Sequence, residues 1–322
     1  MRRFIRFTVA VFGILTLAGG AKAEYPDRPI RLIVPFEPGA GADLLARTLG
    51  HKLSVVLGQQ IVVVNRSGAS GNIGSESVAR AAPDGYTLLL FNNSQTLNAA
   101  LNPKLSYDAV QDFTGIAMLA TSPILLVASR KFQVTTVKDL VALAKKDPGK
   151  INYGSAGYGT PLHFAGELLN LMADIKLAHV PYRGQGASSA ALIANDIELG
   201  FGTVAGFAPL IKEGFVHPIA AAGAKRMKEL PDLPTIAENG YPTFDVFIWY
   251  GLVTPAKTPP EIVNQLYAAV VKILNEPADR ADFEQKGYEV TPSTPEKLND
   301  FIKSDVTRWK NLVQKANLAP PN

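Results

Sequence analysis

The sequence of 322 residues contains no cysteine. Disulfide frameworks, thiolate nucleophiles, thiolate metal sites and a lipid anchor on a cysteine are therefore excluded. After residue 23 the chain also lacks any apolar run long enough to cross a bilayer.

The chain also has little excess of either charge. Its formal net charge is +4, from 32 lysines and arginines against 28 acidic residues. Four of those basic residues and none of the acids lie in residues 1–23. Without that segment 28 residues of each sign remain, so the rest of the chain has no positive excess that would indicate a nucleic-acid or membrane-surface partner.

Residues 1–23 have the features of a cleaved secretory signal peptide. Arg2, Arg3 and Arg6 precede an apolar run over 7–18, and Ala21-Lys22-Ala23 has the small-residue pattern of a cleavage site. We therefore expect a mature protein that begins near Glu24 and is located in the periplasm.

The common enzyme motifs are missing as well. The stretch "GAGADL" lacks the third glycine of a dinucleotide fingerprint, and no loop ends in the GK[ST] of a P-loop. "YGSAG" begins with Tyr153, so Ser155 is not in a nucleophile elbow. The four histidines have no metal-binding spacing. The sequence gives no reason to expect a cofactor, a metal ion or catalysis.

What the chain does contain is an alternation of strand-like and helix-like patterns. Short apolar runs predict strands at 30–34, 61–64, 87–91, 124–128, 177–180, 197–201 and 218–222. Apolar residues at three- and four-residue steps predict helices at 42–57, 140–144, 161–173 and 186–194. Such βαβ units favour an α/β fold of mostly parallel sheets covered by helices. The stretch "WYGLVTPAKTPP" carries one more strand and leads to a helical C-terminal tail over 259–275, 277–286 and 295–317.

Four joints between a strand and a helix are rich in glycine, serine or proline. The first joint is "VPFEPGAGADLLARTLG" (34–50), the second is "YGSAGYGTPLHFAGELL" (153–169), the third is "NRSGASGNIGSESVAR" (65–80) and the fourth is "HVPYRGQGASSAAL" (179–192). Free backbone N–H groups and the helix dipole at such joints favour an anion. In open α/β sheets, ligands bind at the carboxyl ends of strands, where all four joints lie. They predict a cleft for an anionic or oxygen-rich small ligand.

Each joint also has a purely structural interpretation. The glycines can serve tight turns, Asp43 can be a cap that fixes the first loop, and His163 can be a half-buried packing residue. Arg183 could pair with a ligand carboxylate or equally form a surface ion pair.

Taken together, these residues resemble the periplasmic solute receptors of tripartite tricarboxylate transporters, the Bug family. The resemblance covers almost the whole mature chain. It is carried by "YPDRPIRLIVPFEPGAGAD", "GASGNIGSESVARAAPDGYTLLL", "YDAVQDFTGIAMLA", "YGSAGYGTPLHFAGEL", "HVPYRGQG", "AKRMKELPDLPTIAENGYPTFDVFIWYGLVTPAKTP" and the helical end.

The resemblance implies a two-lobed periplasmic-binding-protein-like fold with two crossovers between the lobes. Lobe 1 would comprise 24–125 and 249–322, and lobe 2 would comprise 126–248. A carboxylate would lie in the cleft between them, and the receptor, a monomer, would deliver it to membrane permease subunits. The implied ligand-binding residues are Phe36, Gly39, Ala40, Gly41, Asp43, Ser94, Ser155, Ala156, Gly159, Thr160, His163, Tyr182, Arg183 and Thr203.

Two departures from the family pattern bear on specificity. Ala40 stands in the first loop where a second glycine is common, and Gly202-Thr203-Val204-Ala205 stands where many relatives have an acid and an amide. The loss of charge at the second position predicts a less polar or aromatic acid.

Two other functions remain open from the residues alone. A secreted α/β hydrolase could use Ser155 with His163, although no acid partner is evident. A receptor that presents its liganded form to a membrane kinase would have the same cleft.

Overall fold

The structure, a computed structural model, describes residues 25–39 and 41–315. The predicted signal peptide and Ala40 lie outside the described residues. The strands are β1 (Ile30–Val34), β2 (Ile61–Asn65), β3 (Thr87–Asn92), β4 (Phe113–Ser129), β5 (Asn152–Ser155), β6 (Ala178–Pro181), β7 (Leu199–Thr203), β8 (Val216–Ala221), β9 (Phe247–Pro255) and β10 (Glu289–Val290).

Ten α-helices in the described part of the chain flank these strands. They are α1 (Gly41–Leu57), α2 (Asn72–Ala79), α3 (Asn93–Leu101), α4 (Val137–Lys146), α5 (Pro161–Ala173), α6 (Gln185–Ala194), α7 (Val204–Lys212), α8 (Pro260–Asn275), α9 (Pro277–Gln285) and α10 (Pro295–Lys315). None of them is long and apolar enough to cross a membrane.

The strands form one curled sheet in the order β2-β1-β3-β9-β4-β7-β5-β6, with β8 and β10 also paired to β4. Four of the strand pairs are parallel, namely β1 with β2 and β3, and β5 with β6 and β7. The five pairs that involve β4 or β9 are antiparallel. The sheet is therefore mixed rather than mostly parallel, because two long strands run against their neighbours at its centre.

Strand β4 joins the two halves of the sheet. Its first part, 113–123, pairs with β9, and its second part, 124–129, pairs with β7 and β8. The sequence predicts only 124–128 as a strand. The predicted lobe boundaries at 125/126 and 248/249 both fall inside strands, one in β4 and one in β9.

The helices pack as their apolar spacing predicts. In α1, Leu45, Leu49 and Leu53 are fully buried against the sheet. Three helices of the tail, α8, α9 and α10, each begin at a proline, where the missing N–H has no intrahelical partner to lose. Because α10 buries Trp309 edge-on against Phe164 of α5, with ring centroids 5.1 Å apart, the tail also contacts the second half of the molecule.

Candidate functional site

A cavity of about 530 Å³ lies where the predicted joints meet. Residues from all four joints line it, together with Asn92 and Ser94 after β3, Thr203 after β7, and Ile248 and Tyr250 of β9. The carboxyl ends of strands from both halves of the sheet thus face one space.

Six of the ten described helices point their N-terminal ends at this cavity. The lining residues that stand at or next to a helix start are Gly41 and Ala42 (α1), Gly71 (α2), Asn92 and Ser94 (α3), Thr160 and Pro161 (α5), Gly184 and Gln185 (α6), and Thr203 (α7). Each helix start carries unpaired N–H groups and a partial positive charge. The cavity wall therefore favours an anion even though few charged side chains reach it.

Some of these helix starts are capped by side chains and others are not. Asn92 and Gln95 form a reciprocal capping box at α3, while Thr160 and Thr203 accept backbone N–H groups at α5 and α7. Helices α2 and α6 begin instead at Gly71 and Gly184, which provide no side-chain cap. Their first N–H groups are thus left for other acceptors.

Asp43 fixes the first joint by hydrogen bonds on the side away from the cavity. This buried carboxylate accepts hydrogen bonds from the Gly39 N–H (2.9 Å), Arg47 Nε (2.9 Å) and Asn65 Nδ2 (2.8 Å). Burial opposes ionisation, but those hydrogen bonds outweigh it and lower the pKa of Asp43. Asp43 does not line the cavity. In this structure it holds the loop, as expected from its interpretation as a cap.

Two histidines support the second joint in the same way. The Gly159 N–H donates to His163 Nδ1 (3.3 Å), and the Ser155 hydroxyl is 2.7 Å from His179 Nε2. The two imidazole rings face each other with centroids 4.2 Å apart. None of these four residues lines the cavity.

The buried imidazoles are neutral. Burial, and to a smaller extent the neighbouring His179, lowers the pKa of His163 to about 3. Burial alone lowers the pKa of His179 to about 4. Because His163 Nδ1 accepts a hydrogen bond, its proton is on Nε2, which lies 3.9 Å from Glu167 Oε1. Ser155 is wholly buried and its hydroxyl is engaged, so it cannot attack a molecule in the cavity.

Charged side chains at the cavity are few. Among the described residues that line it, Arg183 is the only lysine or arginine and Glu37 is the only acid. Arg183 is exposed and has no ion pair within the described part of the chain. Glu37 accepts a hydrogen bond from the Ser67 hydroxyl (2.7 Å). Arg183 is thus available to a ligand carboxylate.

The rest of the wall is largely apolar. Phe36, Leu162 and Tyr182 come from three of the predicted joints, while Ile248 and Tyr250 alternate along β9. These side chains can cover the hydrocarbon or aromatic body of a ligand.

The wall at the end of β7 is fixed by Gln185. Its Oε1 accepts from the Thr203 N–H (3.0 Å) and hydroxyl (2.9 Å), and its Nε2 donates to the Thr203 carbonyl (3.3 Å). A Cβ on Gly206 would lie 2.0 Å from Gln185 Nε2. Glycine at this position therefore makes room for the amide, which supplies polar groups at a wall without an acid.

The third joint crosses the cleft. Four successive residues, 68–71, have positive φ, including Ala69 at 47° and Ser70 at 56°. Such a conformation is costly for residues other than glycine. The Ser70 hydroxyl donates to the Tyr158 carbonyl of the second joint, and Asn98 Nδ2 donates to the Ser70 carbonyl (3.2 Å). The strained loop thus connects the two halves at one side of the cavity.

The predicted ligand-binding residues fall into three groups. Eight line the cavity: Phe36, Gly41, Ser94, Ala156, Thr160, Tyr182, Arg183 and Thr203. Five do not line it and instead belong to or support its loops: Gly39, Asp43, Ser155, Gly159 and His163. Ala40 lies outside the described residues.

Several lining residues were not predicted individually. Gly68–Gly71 belong to a joint that the sequence pointed out, and Gln185 follows Arg183 in another. Ile248 and Tyr250 lie in a strand whose register only long-range pairing fixes. In the described part of the chain, no cluster of histidine and acidic side chains has the grouping of a metal site.

Comparison with known proteins agrees with this geometry. Residues 45–318 match the family described as "Tripartite tricarboxylate transporter family receptor". Protein BugT of Bordetella pertussis is 32% identical over 313 residues, which cover 95% of this chain and 96% of BugT.

Solved structures of similar sequence have the same fold. Rpa4515 of R. palustris, solved with adipate, is 32% identical with a TM-score of 0.88, covering 92% of this chain and all of Rpa4515. MatC of Rhodopseudomonas palustris, solved with bound malate, is 31% identical with a TM-score of 0.84, covering 90% of this chain and all of MatC.

Proposed function

The chain belongs to the tripartite tricarboxylate transporter receptor family, and on that basis we propose that it binds a small organic carboxylate in the periplasm and delivers it to the membrane subunits of such a transporter. The chain is a solute-binding receptor and not an enzyme.

The convergence of six helix N-termini on one cavity carries the proposal. Their N–H groups offer many hydrogen-bond donors to an anion, and Arg183 adds one full positive charge. Each charge-assisted hydrogen bond is worth roughly 1.5–3 kcal/mol. A few of them, with apolar burial, are enough for the ~8 kcal/mol of a micromolar complex.

The ligand that suits this cavity is a mono- or dicarboxylate with an apolar or aromatic body. Within the described part of the chain, one cation, one acid and five large apolar or aromatic side chains line it, and the wall after β7 carries an amide and a hydroxyl rather than a carboxylate. The adipate of Rpa4515 is a ligand of this kind.

The proposed site comprises the eight predicted residues on the wall, and the five behind it act through the loops they hold.

We further propose that the two predicted lobes move by bending at β4 and β9, where their boundaries fall. Closing would bring Ser70 to Tyr158, the contact found here across the cleft.

A binding screen tests the function. Thermal unfolding and titration calorimetry of the mature protein with acetate, benzoate, malate, adipate and citrate should give saturable binding of at least one. At 100 times its Kd a ligand adds about 2.7 kcal/mol to the free energy of unfolding. No binding by any of the five would contradict the function, and citrate binding more tightly than the others would contradict the proposed specificity.

Arg183 provides a direct test of the site. Replacing it in Arg183→Gln should raise the Kd for the bound carboxylate about tenfold or more, because a charge-assisted hydrogen bond is lost. The unfolding midpoint should not change, since the side chain is exposed and has no ion pair in the described structure. The matched control is Arg130→Gln, another exposed arginine, which does not line the cavity. Equal affinities of the two variants would contradict the site.

A further inference from the structure

Tyr250 lines the cavity from strand β9. It lies in β9, directly opposite Asn92 at the end of β3. Side chains alternate along the strand, so Ile248 and Tyr250 face the cavity, while Trp249 packs on the other face against Phe91 with ring centroids 5.8 Å apart.

The hydroxyl of Tyr250 lies at the start of α1. An ideal Cβ built on Gly41 would be 3.5 Å from Tyr250 Oη and 3.7 Å from Tyr288 Oη. The two rings meet edge to face, with centroids 5.9 Å apart at 81°. Both hydroxyls therefore reach the same point of the backbone.

The two hydroxyls differ in their partners. The Tyr288 hydroxyl donates a hydrogen bond to the Gly41 carbonyl. Tyr250 is only 2% exposed, and its hydroxyl has no hydrogen-bond partner within residues 25–39 and 41–315, but the hydroxyl oxygen itself is not fully enclosed. The hydroxyl is therefore available to water or to a ligand in the cavity that Tyr250 lines. Packing alone gives no reason for a tyrosine where phenylalanine would fill nearly the same volume.

The Tyr250 hydroxyl is a hydrogen-bond donor. Burial, with a smaller contribution from Tyr288, raises the pKa of Tyr250 well above 10, so the hydroxyl keeps its proton. Ser94, two residues beyond Asn92, is a second such group. It lines the cavity, is 1% exposed, and its hydroxyl has no acceptor in the described part of the chain.

We propose that the Tyr250 hydroxyl donates a hydrogen bond to the ligand carboxylate held at the N-terminus of α1, with Ser94 beside it. This inference rests on the proposed function, because it names side chains that donate hydrogen bonds to the carboxylate of the proposed ligand. The neighbouring Tyr288 is a positioning residue, since it acts on the ligand only through Gly41.

The test uses Tyr250→Phe with the five carboxylates named above. For each one that the wild-type protein binds, calorimetry should show a Kd about tenfold higher or more in the variant, the change of a hydrogen bond to a charged group. The unfolding midpoint of the ligand-free variant should stay equal to that of the wild type, because no hydrogen bond within the described residues is removed.

Two matched variants separate ligand contact from structure. Tyr288→Phe removes a hydroxyl that bonds the backbone, so its ligand-free midpoint should fall. Tyr25→Phe removes a half-buried hydroxyl that donates to the Gly85 carbonyl, and neither residue lines the cavity, so its affinity should equal that of the wild type.

The outcomes are distinct. A Tyr250→Phe protein with wild-type affinity would overturn this inference and leave the proposed function intact. A ligand-free midpoint that falls as far as in Tyr288→Phe would show a structural hydroxyl and would also overturn it. Absence of binding by the wild-type protein would overturn the proposed function and this inference together.

Discussion

At the scale of single residues, the binding loops depend on side chains that never face the cavity. Asp43 ties down the first loop through Gly39, and His163 ties down the second through Gly159. A ligand meets the backbone that these residues hold in place. Preorganised loops of this kind reduce the entropy lost on binding.

The buried histidines make stability depend on pH. His163 has a pKa of about 3 in the folded protein and about 6.5 when unfolded. Below pH 6.5 the unfolded chain therefore binds a proton that the folded protein excludes, and stability falls as pH falls. Between pH 7 and 5 we expect a loss of roughly 2 kcal/mol from this residue.

Urea unfolding at pH 7 and pH 5 checks this prediction. His163→Gln should lose less stability than the wild type over that interval, because glutamine binds no proton in the unfolded chain. His51→Gln is the matched control, since His51 is an exposed histidine. An undiminished loss in His163→Gln would contradict the assignment.

At the scale of elements, the joints between strands and helices do the binding. The start of α6 is tied to the start of α7 because Gln185 bonds Thr203 through three hydrogen bonds. This arrangement requires a glycine at 206, where any Cβ would collide with the amide.

Exchanging glycine for alanine in these helices should therefore have opposite effects. Gly206→Ala should destabilise the protein by roughly 1–3 kcal/mol and weaken ligand binding, because Gln185 must move. Gly186→Ala, in the first turn of α6, has nothing within 4 Å of the new Cβ and should be stabilising by about 0.4–1 kcal/mol. Thermal unfolding and calorimetry compare them. A Gly206→Ala protein as stable as Gly186→Ala would refute the role of Gln185.

At the scale of the whole molecule, the two halves of the sheet are joined by β4 and β9 and contact each other across the cleft. Ser70 bonds the Tyr158 carbonyl on one side, and on the other a Cβ on Gly287 would lie 3.5 Å from Ala205. Under the proposed lobe movement, the contacts on both sides belong to the closed form.

Removing the Ser70 hydroxyl should favour the open arrangement. With about 1 kcal/mol lost from the closed form, Ser70→Ala should bind ligand roughly fivefold more weakly. Small-angle scattering should show compaction of the wild type by ligand and less compaction of the variant at equal ligand concentration. Ser77→Ala, whose hydroxyl bonds its own helix, should behave as the wild type. Equal affinity of the two variants would exclude a role for the Ser70 contact in closure.

The sequence by itself determined the elements whose signals are local. The predicted helix 161–173 agrees with α5, and Pro260, Pro277 and Pro295 mark the starts of α8, α9 and α10, because proline and apolar spacing act within a few residues. The glycine-rich joints and their common position at strand ends could be predicted for the same reason.

Only the tertiary structure decided which groups face the ligand and how the sheet is ordered. Strand β4 is 17 residues long because 113–123 pairs with β9, more than a hundred residues away, and no local pattern encodes that register. Contacts between distant segments also bring Tyr250 to Gly41 and bury His163 behind its loop. The direction of a side chain at a joint is fixed by packing between distant segments, so residue types alone could locate the cavity but not its inner surface.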